Sequence, residues 1–519
     1  MTADPQSDDY DVLVVGGGVN GAGIARDLAG RGARVLLCEK DDLAGHTSSS
    51  STKLIHGGLR YLEHREFSLV RKALGEREIL LKSAPHIMWP LRFVMPHDRS
   101  MRPAWMIRIG LFLYDHLARR EVLPGSRTVD LRQHAAGAPL QPSFTKGFVY
   151  SDGWVDDARL VVLCAVDAAG RGATVLTRWA CVDAVRGPGR WQVRLQRQGA
   201  SGDAGDTRQV TARVLVNAAG PWAAQFLAEH AHGSKPVHLR LVKGSHIVVR
   251  KLFDHDHAYI FQNADGRIIF AIPYEGEFTL IGTTDVEHHG AIGEARADAA
   301  EIAYLCEQAS RYFLRPVTPE QVVWTYSGVR PLLDDEAGNP AAVTRDYRLE
   351  LDTAGGAPLM SVWGGKITTF RKLAEEVADG VASVLGAARP LGPAWTSDAP
   401  LPGGDLREWL GNDAPAANDV DVTFARFVAA LAGRFPAVEP ARVHRLARAY
   451  GTRAEAVLGA GGVDIAPGLA EGELAHLRDN EWAMTGEDVL WRRSKLGLHL
   501  DAGGRAAVGA WMAAASAAS

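Results

Sequence analysis

The stretch DYDVLVVGGGVNGAGIARDLAGRGARVLLCEK, residues 9–40, constrains this chain more than any other. Residues 11–15 read as a short strand that runs into glycine, residues 21–30 as a helix, and Val35 to Cys38 as a second strand. Between the first strand and the helix lies Gly16-x-Gly18-x-x-Gly21, and Glu39 ends the second strand. Glycine permits the tight turn, the approach of backbone to a pyrophosphate, and close helix-strand packing, while the helix N-terminus faces the anion. Glu39 supplies a carboxylate for a ribose. Strand, fingerprint, helix, strand and acid in this order predict a dinucleotide site, against the plainer reading of a glycine turn in an unrelated α/β unit.

Two further glycine sites bear on which dinucleotide. VLVNAAGPWA, residues 214–223, ends an apolar strand at Gly220-Pro221-Trp222, and SVWGGKITTF passes through Gly364-Gly365-Lys366 into a helical pattern. Each alone is also an ordinary strand terminus. Three such sites far apart predict one cofactor domain assembled from separate segments, and the long remainder of the chain favours a large retained cofactor, FAD.

After the first unit comes SSSSTKLIHGGLRYLEH, residues 48–64. The hydroxyls of Ser48 to Thr52, with Ser50, Ser51 and Thr52 as named candidates, are placed near the pyrophosphate and ribityl chain; a polar loop with helix caps is the bland alternative. His56 and Gly57 are expected beside the isoalloxazine, and Arg60 as an anion clamp. Lys243, His246, Arg330, Arg345 and Lys366 stand beside glycines or strand ends elsewhere, and together they offer the donors a phosphate needs. Periodicity does not show that they converge.

Composition excludes several classes. A net charge of -4 gives no broad case for nucleic acid, and the four cysteines, widely spaced, read as reduced core thiols without metal-ligand spacing. The N-terminal residues do not form a secretory signal, and no uncharged run is long enough to span a bilayer. RPAWMIRIGLFLYDHLARR, residues 102–120, offers Trp105, Met106, Ile109, Leu111, Phe112 and Leu113 to a membrane edge with arginines at the headgroups, although core packing predicts much of the same pattern.

LVVGGGVNGAGIARDLAGRGARVLLCE, SSSSTKLIHGGLRYLEHREF, YSDGWVDDARLV, LVNAAGPW, RLVKGSHIVV, IGTTDVEHHG, WTYSGVRPLLDDE, TRDYRLE, GGKITTFRKLAE and EWAMTGEDVLWRRSKLGLHL together resemble the FAD-dependent respiratory glycerol-3-phosphate dehydrogenases over nearly the whole chain. LIHGGLRYLE and TYSGVRPL are the more specific motifs. The resemblance implies an α/β fold with a discontinuous Rossmann-like FAD-binding domain of glutathione-reductase type, a β-rich substrate cap and a C-terminal helical domain. The corresponding division assigns 10–80, 155–235 and 350–390 to the cofactor domain, 81–154 and 236–349 to the cap, 391–404 to a linker and 405–519 to the helical domain. WRRSKLGLHL, near the end, reads as helix packing.

The same resemblance implies oxidation of sn-glycerol 3-phosphate to dihydroxyacetone phosphate, with hydride passing to FAD and electrons to membrane quinone; the ordered glycine turns and Glu39 predict that the FAD is held non-covalently. It implies His56, His246, Arg330 and Lys366 as the catalytic set, and Arg60, Arg330, Arg345 and Lys366 around the substrate. The two histidines are the candidates for proton transfer, with the base left open between them. A cytoplasmic protein held peripherally on the inner leaflet of the cytoplasmic membrane, as a homo-oligomer, is the expected setting. An oxygen-using glycerol-3-phosphate oxidase and an inactive FAD-containing sensor are the competing readings.

Overall fold

The computed structural model describes residues 8–98, 101–198, 204–232, 237–263, 265–333 and 346–517. Strand Asp9–Val15 is apolar on both faces because both are covered. Val12 and Val14 face one layer with Val35, Leu37, Val214 and Val216, whereas Leu13 and Val15 face the other with Leu36, Cys38 and Leu215. This two-residue alternation places helices on one side and an antiparallel hairpin on the other. The helices are Val19–Gly30, Asp157–Gly170 and Phe370–Leu385; the hairpin is Trp179–Arg186 with Trp191–Gln198.

Strands Leu359–Trp363, Ala204–Asn217, Asp9–Val15, Val35–Glu39 and Thr174–Thr177 run parallel in that spatial order. Arg348–Asp352 adds an antiparallel edge next to Leu359–Trp363. The sheet is thus drawn from three separate parts of the chain, and the fold is a discontinuous α/β FAD-binding fold. The first helix begins at Val19 with Gly18 as its N-cap, two residues before the expected start, so that Gly18 and Gly21 of the fingerprint form its N-cap and first turn. A Cβ on Gly21 would collide with the Gly16 carbonyl oxygen, and one on Gly16 would lie 2.6 Å from the Ala218 oxygen.

A second sheet of ten strands stands beside the first. Its longest pairing joins Leu239–Arg250 to Val322–Leu333 antiparallel, in a register that sets Val242 opposite Arg330 and His246 opposite Tyr326. Leu54–Ile55 pairs with Trp154 and Gly153, so the serine-rich loop crosses directly from the nucleotide sheet to this one. Helix Ala104–His116 lies on its outer side.

The C-terminal helices from Leu406 onward have their own core, including Phe424, Phe427, Leu446, Leu474 and Leu490. They are joined to the rest by buried ion pairs: Arg159 with Glu481, and Arg493 with Asp42. Residues 491–500 pack against the rest of the chain: Trp491 stacks on Trp324 at 4.5 Å, and Arg492 and Arg493 both reach Asp42. Residues 391–404, expected as a linker, run against the first helix, where Trp395 Nε1 donates to the Asp27 carbonyl at 3.1 Å.

Candidate active site

Two adjoining cavities meet where the first helix begins. The first, about 370 Å³, is walled by the fingerprint, Glu39, the Gly220-Pro221-Trp222 turn and the Gly364-Gly365 turn. The second, about 270 Å³, lies between the serine-rich loop and the second sheet. They share Val19, Thr47, Ser48, Pro331, Gly364 and Gly365.

In the first cavity the local chemistry fits a dinucleotide. Glu39 is buried at the strand end, and burial raises its pKa against two backbone amides, from Asp41 (2.9 Å) and Gly17 (2.6 Å), that favour the carboxylate. Val19 N donates to Ser48 Oγ at 2.9 Å, so a serine hydroxyl stands at the helix N-terminus, where anions are favoured. Asn20 Nδ2 donates to the Gly364 oxygen at 3.1 Å, while its buried Oδ1 finds no partner among the described residues. Buried polar atoms are ordinarily satisfied, so this acceptor is consistent with a ligand's donor. Gly364 and Gly365 have φ of 73° and 110°, the left-handed region that glycine tolerates, and this brings their backbone to the cavity wall. Trp222 is fixed by Lys40, 3.9 Å above its ring, and by His46 edge-on at 4.6 Å.

The second cavity gathers Ser50, Ser51, Thr52, His56, His246, Arg330 and Lys366. Arg330 Nη2 donates to the Thr284 oxygen at 3.2 Å and pairs with Asp285; both ionic side chains are well exposed, so the pair is weak and an anion can displace it. Lys366 Nζ lies 4.0 Å over the Tyr61 ring. His246 is 2% exposed, stacks on Tyr326 at 4.6 Å, and shares a hydrogen bond of 2.9 Å between Nε2 and Thr52 Oγ1. Burial holds its pKa well below the imidazole norm, and the cations Lys53 and Arg330 act in the same direction. His56 is lowered too, by burial first, with Asp152 opposing and Lys366 and Arg77 assisting. Both imidazoles are therefore neutral near pH 7, the form that accepts a proton.

Other sequence candidates are placed differently. Gly21 and Gly57 are packing glycines rather than cavity walls: a Cβ on Gly57 would lie 2.7 Å from Tyr114 Oη, and its amide donates to that oxygen at 2.7 Å. Arg60 lines a separate small cavity, about 90 Å³, with Met106, Ile107 and Gly110. Lys243 turns away to Glu301 at 2.8 Å. Arg345 lies outside the described residues. Ser51 gives its hydroxyl to Asp157 at 2.7 Å, so it shapes the loop even though it borders the cavity.

Sequence reasoning did not single out Lys53, Asp157, Tyr326, or the buried Arg77-Asp152-Tyr114 cluster beneath Gly57. Lys53 and Asp157 occur inside quoted motifs, but nothing in their local sequence tells a buried pair from surface charges.

The profile of the family described as FAD dependent oxidoreductase matches residues 11–371, and that of the C-terminal domain of alpha-glycerophosphate oxidase matches residues 394–517. A D-erythritol 1-phosphate dehydrogenase of Brucella abortus (strain 2308) is 49% identical over 517 residues, covering 98% of each chain. The aerobic glycerol-3-phosphate dehydrogenase of Escherichia coli (strain K12) is 46% identical over 509 residues, 97% of each. Among solved structures, the glycerol-3-phosphate dehydrogenase from Bacillus halodurans complexed with FAD superposes with a TM-score of 0.77 at 28% identity, covering 99% of this chain and 92% of that one. The cofactor that the first cavity fits is FAD, and the chain belongs to the FAD dependent oxidoreductase family.

Proposed function

We propose that this protein oxidises sn-glycerol 3-phosphate to dihydroxyacetone phosphate and passes the electrons to membrane quinone. The observation that carries the reading is the second cavity, where two cations, Arg330 and Lys366, stand with two neutral histidines against the dinucleotide cavity. Bound in the first cavity, FAD would supply the acceptor for the hydride of the substrate carbon. The chain's own residues hold the phosphate on Arg330 and Lys366, and take the hydroxyl proton at an imidazole, His246 or His56. Arg345 and Arg60 remain proposed substrate contacts by resemblance alone.

A second reading changes the substrate's length only. The relative at 49% identity is named for D-erythritol 1-phosphate, a polyol phosphate one carbon longer, and the same donors suit its phosphate. Anaerobic mixing of the FAD-loaded protein with glycerol 3-phosphate, D-erythritol 1-phosphate and glycerol tests both. Glycerol 3-phosphate is expected to bleach the flavin and glycerol to do so poorly. Bleaching by the four-carbon phosphate alone would replace the first reading with the second, and bleaching by none would leave the sensor reading. Reoxidation by quinone much faster than by oxygen separates dehydrogenase from oxidase.

No helix among the described residues is long and apolar enough to cross a membrane. Helix Ala104–His116 nevertheless presents Trp105, Ile109 and Phe112 at 63, 52 and 53% exposure, with Met106 and Leu113 also exposed. This row is the bilayer contact in the proposal, with the protein peripheral on the inner leaflet of the cytoplasmic membrane. Leu111, expected with them, faces inward and is fully buried.

A further inference from the structure

The loop that carries Thr52 is held from beneath by a carboxylate that borders neither cavity. Asp157 is fully buried at the start of helix Asp157–Gly170. Its Oδ2 accepts from Ser51 N at 3.1 Å and from Ser51 Oγ at 2.7 Å, and its Oδ1 from Lys53 Nζ at 2.8 Å. Lys53 is 1% exposed, donates also to the Ser49 oxygen at 3.1 Å, and lies 4.9 Å from the centre of the Tyr326 ring. Tyr326 completes the frame: its hydroxyl donates to the Ser51 oxygen at 2.8 Å while its ring stacks on His246. Lys53 also has φ of 61°, a conformation that a side chain other than glycine adopts only where its surroundings impose it. A buried lysine-carboxylate pair is a poor source of stability, because desolvation offsets its attraction. What this pair determines instead is where one hydroxyl points.

We propose that Lys53, anchored on Asp157, is a positioning residue for the reaction: it fixes residues 49–53 so that the Thr52 hydroxyl meets His246 at Nε2. The proposal rests on the reading above and takes His246, of its two histidines, as the one that handles the substrate's proton. His246 Nδ1 is buried and finds no partner among the described residues, so the hydrogen bond shared with Thr52, together with the Tyr326 stack, orients the ring. The charges that face His246 are Lys53 and Arg330, both disfavouring the imidazolium; Arg330 is in turn paired with Asp285. Lys53 itself faces Asp157, Asp156 and Lys495, and Glu275 faces the same group from the second sheet. The Lys53 ammonium thus acts twice, by holding the loop and by adding to the burial that keeps the imidazole neutral.

The test compares Thr52→Val, Thr52→Ser and the paired Lys53→Met/Asp157→Asn, which leaves no unpaired buried charge. FAD content, anaerobic flavin reduction across pH, and 15N spectra of histidine-labelled holoprotein are measured, with His246→Gln identifying the His246 signals. Thr52→Val is expected to slow limiting flavin reduction by about tenfold or more with FAD retained, since a displaced proton acceptor loses most of its contribution. Thr52→Ser restores the rate, which a purely packing role for Thr52 would not require. The paired variant moves the His246 titration and the acidic limb of the rate profile upward together, because a neighbouring cation has gone. Wild-type rates in Thr52→Val, no gain from serine over valine, or an unmoved His246 titration in the folded paired variant would each overturn the proposal. If the paired variant does not fold, the valine and serine variants decide. If wild-type flavin is bleached by neither polyol phosphate, the functional reading fails, and the proposal is then decided by whether Thr52→Val, and not Thr52→Ser, changes the His246 spectrum.

Discussion

Arg493 closes a two-pronged ion pair on Asp42, with Nη1 2.7 Å from Oδ2 and Nη2 2.8 Å from Oδ1, and both side chains are out of solvent. Arg492 Nε takes the same Oδ2 at 2.6 Å. Asp42 follows Glu39 by three residues, so the C-terminal region braces the rim of the nucleotide cavity although it supplies none of its walls. Removing one partner of a buried pair typically costs about 3–5 kcal/mol, and the lower end is expected for Arg493→Ala because Arg492 remains. FAD content should fall with it. Denaturant unfolding and released-flavin assays check both; unchanged stability would show that Arg492 alone suffices.

Arg330→Ala should keep its FAD and its fold, because its partner Asp285 is exposed and is not left buried without a counter-charge. A charge-assisted hydrogen bond contributes about 1.5–3 kcal/mol, so productive binding of glycerol 3-phosphate should weaken about tenfold to somewhat over a hundredfold. Rapid mixing across substrate concentrations measures this. Near-wild-type flavin reduction would move the phosphate to Lys366.

Glu275 gives the stability a pH dependence of unusual sign. Burial, with Asp156 adding to it, raises its pKa from 4.5 to about 7, while Lys495, Lys53 and Arg445 restrain the rise. The folded state therefore holds a proton that the unfolded chain has already released, and this contribution to stability is lost as pH rises from about 4.5 through 7. Glu275→Gln should be nearly neutral at pH 5 and stabilising at pH 8, by about 2–3 kcal/mol at most. Thermal unfolding at the two pH values checks it, and equal effects at both would refute the assignment.

Replacing two exposed residues of the outer helix, Ile109→Glu with Phe112→Glu, should leave stability within about 0.5 kcal/mol. Each side chain buried in a bilayer contributes roughly 1.5–3 kcal/mol, so vesicle partitioning should fall by a hundredfold or more if both insert. Leu111→Glu is the contrast: it places a charge in the core and should unfold the protein. Unchanged flotation with vesicles in the exposed pair would remove this helix from the contact.

The nucleotide unit was legible because its determinants are local. Glycines at 16, 18 and 21 act on their own backbone and on the turn beside them, and the alternation of Val12, Leu13, Val14 and Val15 states which layers must lie on each side. Arg330 and His246 were also found, since each follows a glycine by two residues, but both lie inside long paired strands of the second sheet and not at the turns expected. Arg60 looked equivalent to them in sequence, yet the short helical turn that carries it leads its side chain to another cavity. A direction set by one turn of backbone has no signature in residue type.

By itself, then, the amino-acid sequence determined the strand-turn-helix that suits a dinucleotide, the acid that ends the second strand, and the stock of cations from which a phosphate site is drawn. Tertiary structure alone decided which of them meet. Lys53 and Asp157 stand 104 positions apart, and Asp42 and Arg493 stand 451 apart. Whether such charges are buried partners or solvated strangers depends on how the sheets and helices between them pack, because the low-dielectric interior that makes their pairing obligatory exists only once the chain has folded.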